Sequence, residues 1–167
     1  MMKVCNIKIS IFFENELFQK DKSNEKIIWK EGDWVVTQYC HSPNLVNVTG
    51  IKCKDHIKDI IGILEKKFHS KCVKYQIDSA MLTHKDNKRI QLIKVFKYLN
   101  LFTKDFYIDY HPELFTGMFL KPFNREYPTV NLFYTGSFQL LGGKSFDKIN
   151  HTIEIVEGLI KKCENGV

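Results

Sequence analysis

The chain opens on clean alternation, with Ile7, Ile9 and Ile11 on one side of an extended segment and Asn6, Lys8 and Ser10 on the other. Side chains alternate across a strand, so this predicts a strand over 6–13 with one face buried and the other open. A second strand is predicted over 75–82. Short apolar runs around turn residues predict two hairpins. One covers 34–40 and 45–48 about Ser-Pro-Asn, the other 129–135 and 138–141 about Tyr-Thr-Gly-Ser. Within the second, Val130, Leu132 and Tyr134 alternate with Phe133, so the three are expected to face the helices and Phe133 the open side. Asn44 stands where the second turn has Gly136, and both residue types suit a left-handed backbone.

Elsewhere the period is helical. Ile57, Ile60, Ile61, Leu64 and Phe68 make one apolar stripe, and Ile149, Ile153, Val156 and Ile160 a second. Leu92, Ile93, Phe96 and Leu99 make a third, within a helix predicted over 87–101. Cys53 or Lys54, and Ser145, stand where the first two helices would be capped, with Lys66-Lys67 and Lys161-Lys162 at the ends that favour positive charge. One-sided strands and amphipathic helices predict an α+β fold: an antiparallel sheet with helices on one face and the other face free to bind.

Two stretches are copies of each other. Gly50/Gly142, Lys52/Lys144, Asp55/Asp147, Ile57/Ile149, Ile61/Ile153, Ile63/Ile155 and Glu65/Glu157 are identical pairs 92 positions apart, seven identities within sixteen positions. Both copies read hairpin, glycine, helix. The chain is therefore a duplication, with a shortened first repeat over 1–72, a second over 73–167 and a junction near 69–74.

Composition narrows the setting. No apolar run approaches the roughly 20 residues of a membrane span, and the alternating start is unlike a signal peptide. Cys5, Cys40, Cys53, Cys72 and Cys163 include no Cys-x2-Cys pair, which predicts mostly buried free thiols in a reducing, intracellular compartment. There Asn47-Val-Thr49 and Asn150-His-Thr152 would meet no glycosylation machinery. The net charge of +6 is compatible with nucleic acid. Arginine occurs only at Arg89 and Arg125, so lysine, which grips phosphate but lacks the planar fork that reads bases, carries the charge. Heavy use of Lys, Asn and Ile fits an AT-rich genome, that of a large DNA virus or a protist.

Candidate chemistry is sparse. Cys53-x2-His56 and His69-x2-Cys72 have the residue types of a zinc site, but the predicted helix between them holds the pairs about 20 Å apart. Gly142-Gly-Lys-Ser145 links strand to helix as a phosphate loop does, but Phe138 stands where the earlier glycine is required. His111 and Glu113 flank Pro112 without a nucleophile or metal ligand. No catalytic group, metal or cofactor is expected, and the chain reads as a binding protein and not an enzyme.

The stretch from Tyr110 to Lys144 identifies a candidate family. Tyr110-His-Pro-Glu-Leu-Phe-Thr-Gly-Met-Phe-Leu-Lys121, then Leu132-Phe-Tyr-Thr-Gly and Leu140-Leu-Gly-Gly-Lys144, resembles the second repeat of TATA-box-binding proteins. There a Pro-Glu-Leu-Phe-Pro-Gly stirrup precedes two strands with a Phe-x-Ser-Gly turn and a Thr-Gly-Ala-Lys strand end. Asn6-Ile7 and Val48-Thr-Gly-Ile-Lys52 are similar to the corresponding parts of the first repeat. The resemblance is strongest over 110–160, fair over 46–68 and weak over 14–33, where a helix after the first strand is shortened or missing.

The resemblance implies a duplicated saddle with helices on the convex face, pseudo-twofold symmetry, and a concave sheet that bends a widened minor groove. Apolar wedges unstack base steps at a cost of a few kcal/mol per step. Phe115 and Phe133 match the two second-repeat wedges. His41 falls at the equivalent of Phe133 in the first repeat, and Ile27 or Trp29 is nearest to the other. On the groove floor Asn6 and Thr49 match, while Gln76 and Leu141 replace their twins. Lys8, Asn47, Asp78 and Gln139 stand where the family has apolar residues. An Asp78 carboxylate would accept from the guanine amino group and repel thymine O2, so altered or relaxed specificity that tolerates G·C pairs is expected. Glu113 and Leu114 match the contact with a transcription factor IIB-like protein, where His111 replaces an acidic residue, and through that contact RNA polymerase machinery would be recruited. The implied protein is a monomeric initiation factor of a nucleus or viral replication compartment. The alternatives are a protein-interaction scaffold of the same fold that has lost specific DNA binding, and, in last place, an accessory domain of a nucleic-acid enzyme.

Overall fold

The computed structural model describes residues 2–17, 25–86, 88–102 and 105–164. The chain divides into two compact units, Val4–Ser79 and Ala80–Val167 with Met1–Lys3. In the first, β1 (Met2–Phe13), β2 (Lys26–Glu31), β3 (Trp34–Tyr39) and β4 (Leu45–Ile51) bond antiparallel in the order β2-β3-β4-β1, and α1 (His56–Phe68) follows. The strand β5 (Cys72–His84) carries the chain into the second unit. There α2 (Leu92–Phe102), β6 (Phe106–Asp109), β7 (Gly117–Pro122), β8 (Thr129–Phe133), β9 (Phe138–Gly143) and α3 (Phe146–Glu164) complete the fold, with strand order β5-β9-β8-β7-β6. The second unit runs strand, helix, four strands, helix. The first has the same plan without, among the described residues, a counterpart of α2 and β6. After β1 the backbone is committed elsewhere: the Glu14 N–H donates to the Lys71 carbonyl and the Leu17 N–H to the Pro43 carbonyl. The rest of the helix expected there lies outside the described residues.

Alternation places the core as expected. Ile7, Ile9, Ile11 and Phe13 are buried with Val36, Val46, Val48 and Ile51 against Ile57, Ile60 and Leu64 of α1. In the second unit Leu82, Leu120, Val130, Leu132, Phe138 and Leu140 are buried with Val95 of α2 and Ile149 and Val156 of α3. Each unit's helices pack on one sheet face and leave the other uncovered by them. The duplicated corner is a bulge. Gly50 and Gly142 adopt φ of 89° and 77°, and the strand register shifts beside each, between Ile7 and Ile9 and between Ala80 and Leu82. Such a left-handed residue is what glycine tolerates without steric penalty, so the repeated glycine is a backbone requirement.

Five local expectations are corrected. The α2 helix starts at Leu92, and Ile90 before it donates its N–H to the Tyr134 carbonyl, a bond to the neighbouring turn in place of a helical one; Asn87 lies outside the described residues. Its buried stripe is Leu92, Val95 and Leu99, whereas Ile93 is exposed. The N-cap of α1 is Asp55, without a side-chain cap bond, while the Ser145 carbonyl takes the first helical bond of α3 from Ile149. Asn44 is not left-handed: among described non-glycine residues only His69 has positive φ. The first turn is wider than the second, and buried Gln38 fills it by donating from Nε2 to the Pro43 carbonyl at 2.8 Å. None of the five cysteines is in a disulfide, and all five are half-buried and not buried as expected. No helix among the described residues is long and apolar enough to cross a membrane.

Candidate nucleic-acid interface

The open face of the second unit ends in an aromatic cluster. The turn after Tyr110 is closed by the N–H groups of Leu114 and Phe115, both donating to the His111 carbonyl, and Tyr110 packs against Phe96 of α2 at 5.9 Å between ring centroids. This sets Phe115 over the sheet, stacked on Phe119 at 5.1 Å and tilted to Phe133 at 6.1 Å. Phe115 remains 38% exposed. Gly117 pairs with Phe133 in register, and a Cβ on it would lie 2.7 Å from Phe115 Cε1 and 3.2 Å from Phe133 Cε1. The rings meet because that position carries no side chain. Lys121 Nζ sits over the Tyr107 and Phe119 rings and pairs with Asp109 at 3.1 Å. Val130 and Leu132 face the helices and Phe133 the open side, as alternation predicts. Tyr134, expected with the first two, lies beyond the strand and is 54% exposed. Gln139 is directly opposite Asn131 and Leu141 opposite Thr129, each on the open face and half-buried.

The open face of the first unit is polar. Asn6 Oδ1 accepts from the Gly50 N–H at 2.8 Å, so the bulge orients this amide with its NH2 as the remaining donor. Lys8 is exposed on the same side, and Asn47 is opposite Ser10. Ser10 Oγ lies 2.7 Å from both Asn47 Oδ1 and Asp78 Oδ2. A hydroxyl has one proton; it goes to the carboxylate, and Asn47 is satisfied with its amide turned to donate. Gln76 Nε2 donates to the other oxygen of Asp78 at 3.1 Å. Thr49 pairs with Val35, half-buried on this face.

Strand register corrects the matching of the two units. Val36 pairs with Val48 as Val130 pairs with Leu140, the repeat-related partner. Counting along the strands, Thr37 matches Asn131 and Tyr39 matches Phe133. Tyr39, not His41, is the register counterpart of Phe133. His41 lies in the longer turn, its ring 5.5 Å from Tyr39. On the neighbouring strand Lys26 matches Gly117 and Ile28 matches Phe119. Ile28 is on the open face and 54% exposed. Ile27 and Trp29 alternate with it, and Trp29 packs edge-on to Phe68 of α1 at 5.9 Å, so neither lies on the open face. The counterpart of Phe115 would be Asn24, outside the described residues. Ile7 and Ala80 pair with the repeat-related Ile51 and Gly143, which makes Ser79, not Gln76, the match of Asn6.

The expected partner residues lie together in the turn. His111 is 3.5 Å from Asp109 and 3.4 Å from Glu113, and Leu114 is 81% exposed. Sequence reasoning passed over Phe119, Tyr39 and Asn131, all on open faces. Alternation from Phe133 would have found Asn131; the other two needed the register.

No known protein family and no curated protein sequence matches the chain. Among solved structures, TBP of Methanococcus jannaschii superposes with a TM-score of 0.68 over 96% of this chain and 98% of its own, at 15% identity. A structure of A. aeolicus tRNASec in complex with M. kandleri SerRS is similar at a TM-score of 0.46 and 9% identity, covering 98% of this chain and 31% of that one, too distant to carry an argument. The chain thus has the duplicated α+β fold of a TATA-box-binding protein.

Proposed function

We propose that the chain is a divergent DNA-binding transcription initiation factor that grips the minor groove with the open faces of its sheets, inserting Phe115 and Phe133 into a base step. The observation that carries this is the part-exposed aromatic cluster of Phe115, Phe119 and Phe133, held at the end of an open sheet face in the fold of a TATA-box-binding protein. Insertion removes apolar rings from water in return for unstacking. Asn6, with its oxygen bonded to Gly50, offers donors to the acceptors that A·T pairs present, and Lys8 adds positive charge. The polar floor of Ser10, Asn47, Gln76, Asp78 and Gln139 supports altered or relaxed specificity. Exposed Leu114 with Glu113 and His111 suits a transcription factor IIB-like partner, in a nucleus or viral replication compartment.

The test is binding to TATA-containing and scrambled duplexes with bending read by end-to-end energy transfer. Phe115→Ala/Phe133→Ala should abolish bending and weaken binding at least about tenfold, since burial of the two rings must more than offset the few kcal/mol that unstacking a step costs. Unbent binding by wild type, indifferent to the double substitution, would reduce the interaction to non-specific electrostatics. A second reading, an interaction scaffold without specific DNA binding, is favoured by the Asp78 carboxylate on the first unit's floor; absence of binding to any duplex would select it.

A further inference from the structure

The open face of the second unit holds a polar group with nothing to satisfy it. Asn131 is 4% exposed, and its Oδ1 has no hydrogen-bond partner among the described residues. Native structures retain few such buried acceptors because each forfeits its hydration. One on a candidate binding face points to a donor that arrives with the ligand. Its surroundings are specific. A Cβ on Gly117 would be 2.4 Å from this oxygen, 2.7 Å from Phe115 Cε1 and 3.2 Å from Phe133 Cε1, so an acceptor and two ring edges converge on one point. Aromatic edges carry positive partial charge, which suits the carbonyl oxygen there over the NH2. Register places Asn131 between Phe119 and Gln139 on the same face. The ring edges that share this point with the oxygen in the free protein are those that would leave it on entering a base step.

We infer that Asn131 is a specificity-determining residue for DNA: once Phe115 and Phe133 insert, its Oδ1 accepts from the exocyclic 2-amino group of a guanine beside that step. The inference rests on the DNA-binding reading above. The guanine amino group is the donor that distinguishes G·C from A·T in the minor groove, where A·T pairs show only acceptors. Asp78, the acceptor that the sequence suggested for this role, already takes hydrogen bonds from Ser10 and Gln76 on its two oxygens. Asn131 is the group left wanting a donor.

The test uses the full chain and a pool of duplexes with a randomised core. Wild type should enrich a G·C pair at one fixed position, and replacing that guanine by inosine, which lacks the 2-amino group, should weaken binding about tenfold. Asn131→Leu, of similar shape and without the unpaired acceptor, should melt no lower than wild type and lose both the G·C preference and the inosine penalty. Asn131→Val, smaller and likewise without an acceptor, repeats the measurement should the leucine variant fold poorly. Binding that needs Phe115 and Phe133 but ignores inosine, or a G·C preference that persists without Asn131, overturns this assignment and leaves the DNA-binding reading standing. Absence of binding that depends on those rings overturns both.

Discussion

At Gly117 the missing side chain lets Phe115, Phe133 and Asn131 meet, since a methyl group there would fall 2.4 Å from Asn131 Oδ1 and 2.7 Å from the Phe115 ring. Gly117→Ala must push these groups apart, and overpacking of this kind costs about 1–3 kcal/mol. The variant should lose that much in denaturant melts and lose duplex bending with it; unchanged stability and bending would mean that the cluster is looser than its geometry. Motif spacing was enough to single out Phe115, inside the stretch Tyr110–Lys121, and Phe133, from which the match runs to Lys144 without a gap. It misplaced the first-unit counterpart of Phe133 at His41, because an alignment without gaps cannot see that the first turn is two residues longer. Only hydrogen-bond register identifies Tyr39.

Among the elements, α1 and β2 are joined by Glu31 and Lys67, 2.6 Å apart. The Lys67 hydrogen bond holds the Glu31 carboxyl below its ordinary value of 4.5, against the opposing effect of burial. A carboxyl depressed in the folded state contributes stability above its unfolded pKa and loses it as pH falls through the folded one. Glu31→Gln should therefore be less stable than wild type at neutral pH, by about 0.2–1 kcal/mol for so exposed a pair. The two melting curves should converge below about pH 4.5 as the wild-type carboxyl protonates. A difference that persists at pH 3 would assign the effect to packing. Helix and strand types were legible from period alone. The start of α2 was not, because Ile90 exchanges its helical bond for one to Tyr134 across the fold.

For the molecule as a whole, a net charge of +6 borne mainly by lysine should make duplex binding strongly salt-dependent. Each phosphate neutralised contributes about 0.9 to the slope of log affinity against log salt. Apolar wedges release no counterions. The Phe115→Ala/Phe133→Ala protein should thus bind more weakly with the slope of the wild type; a shallower slope would show that the rings also seat the lysines on phosphate.

The sequence by itself determined the duplication, the two-sided strands, the amphipathic helices and, through one motif, the fold and two of its aromatic residues. These are properties of local spacing, which hydrophobic period and turn chemistry record directly. Tertiary structure decided what depends on pairing between distant segments. Register moved the first-unit position from His41 to Tyr39, joined Ser10, Asn47, Gln76 and Asp78 into one network, and buried Asn131 beside the rings. Pairing distance has no period to read, so a two-residue difference in a turn changes every cross-strand neighbour without disturbing the pattern along the chain.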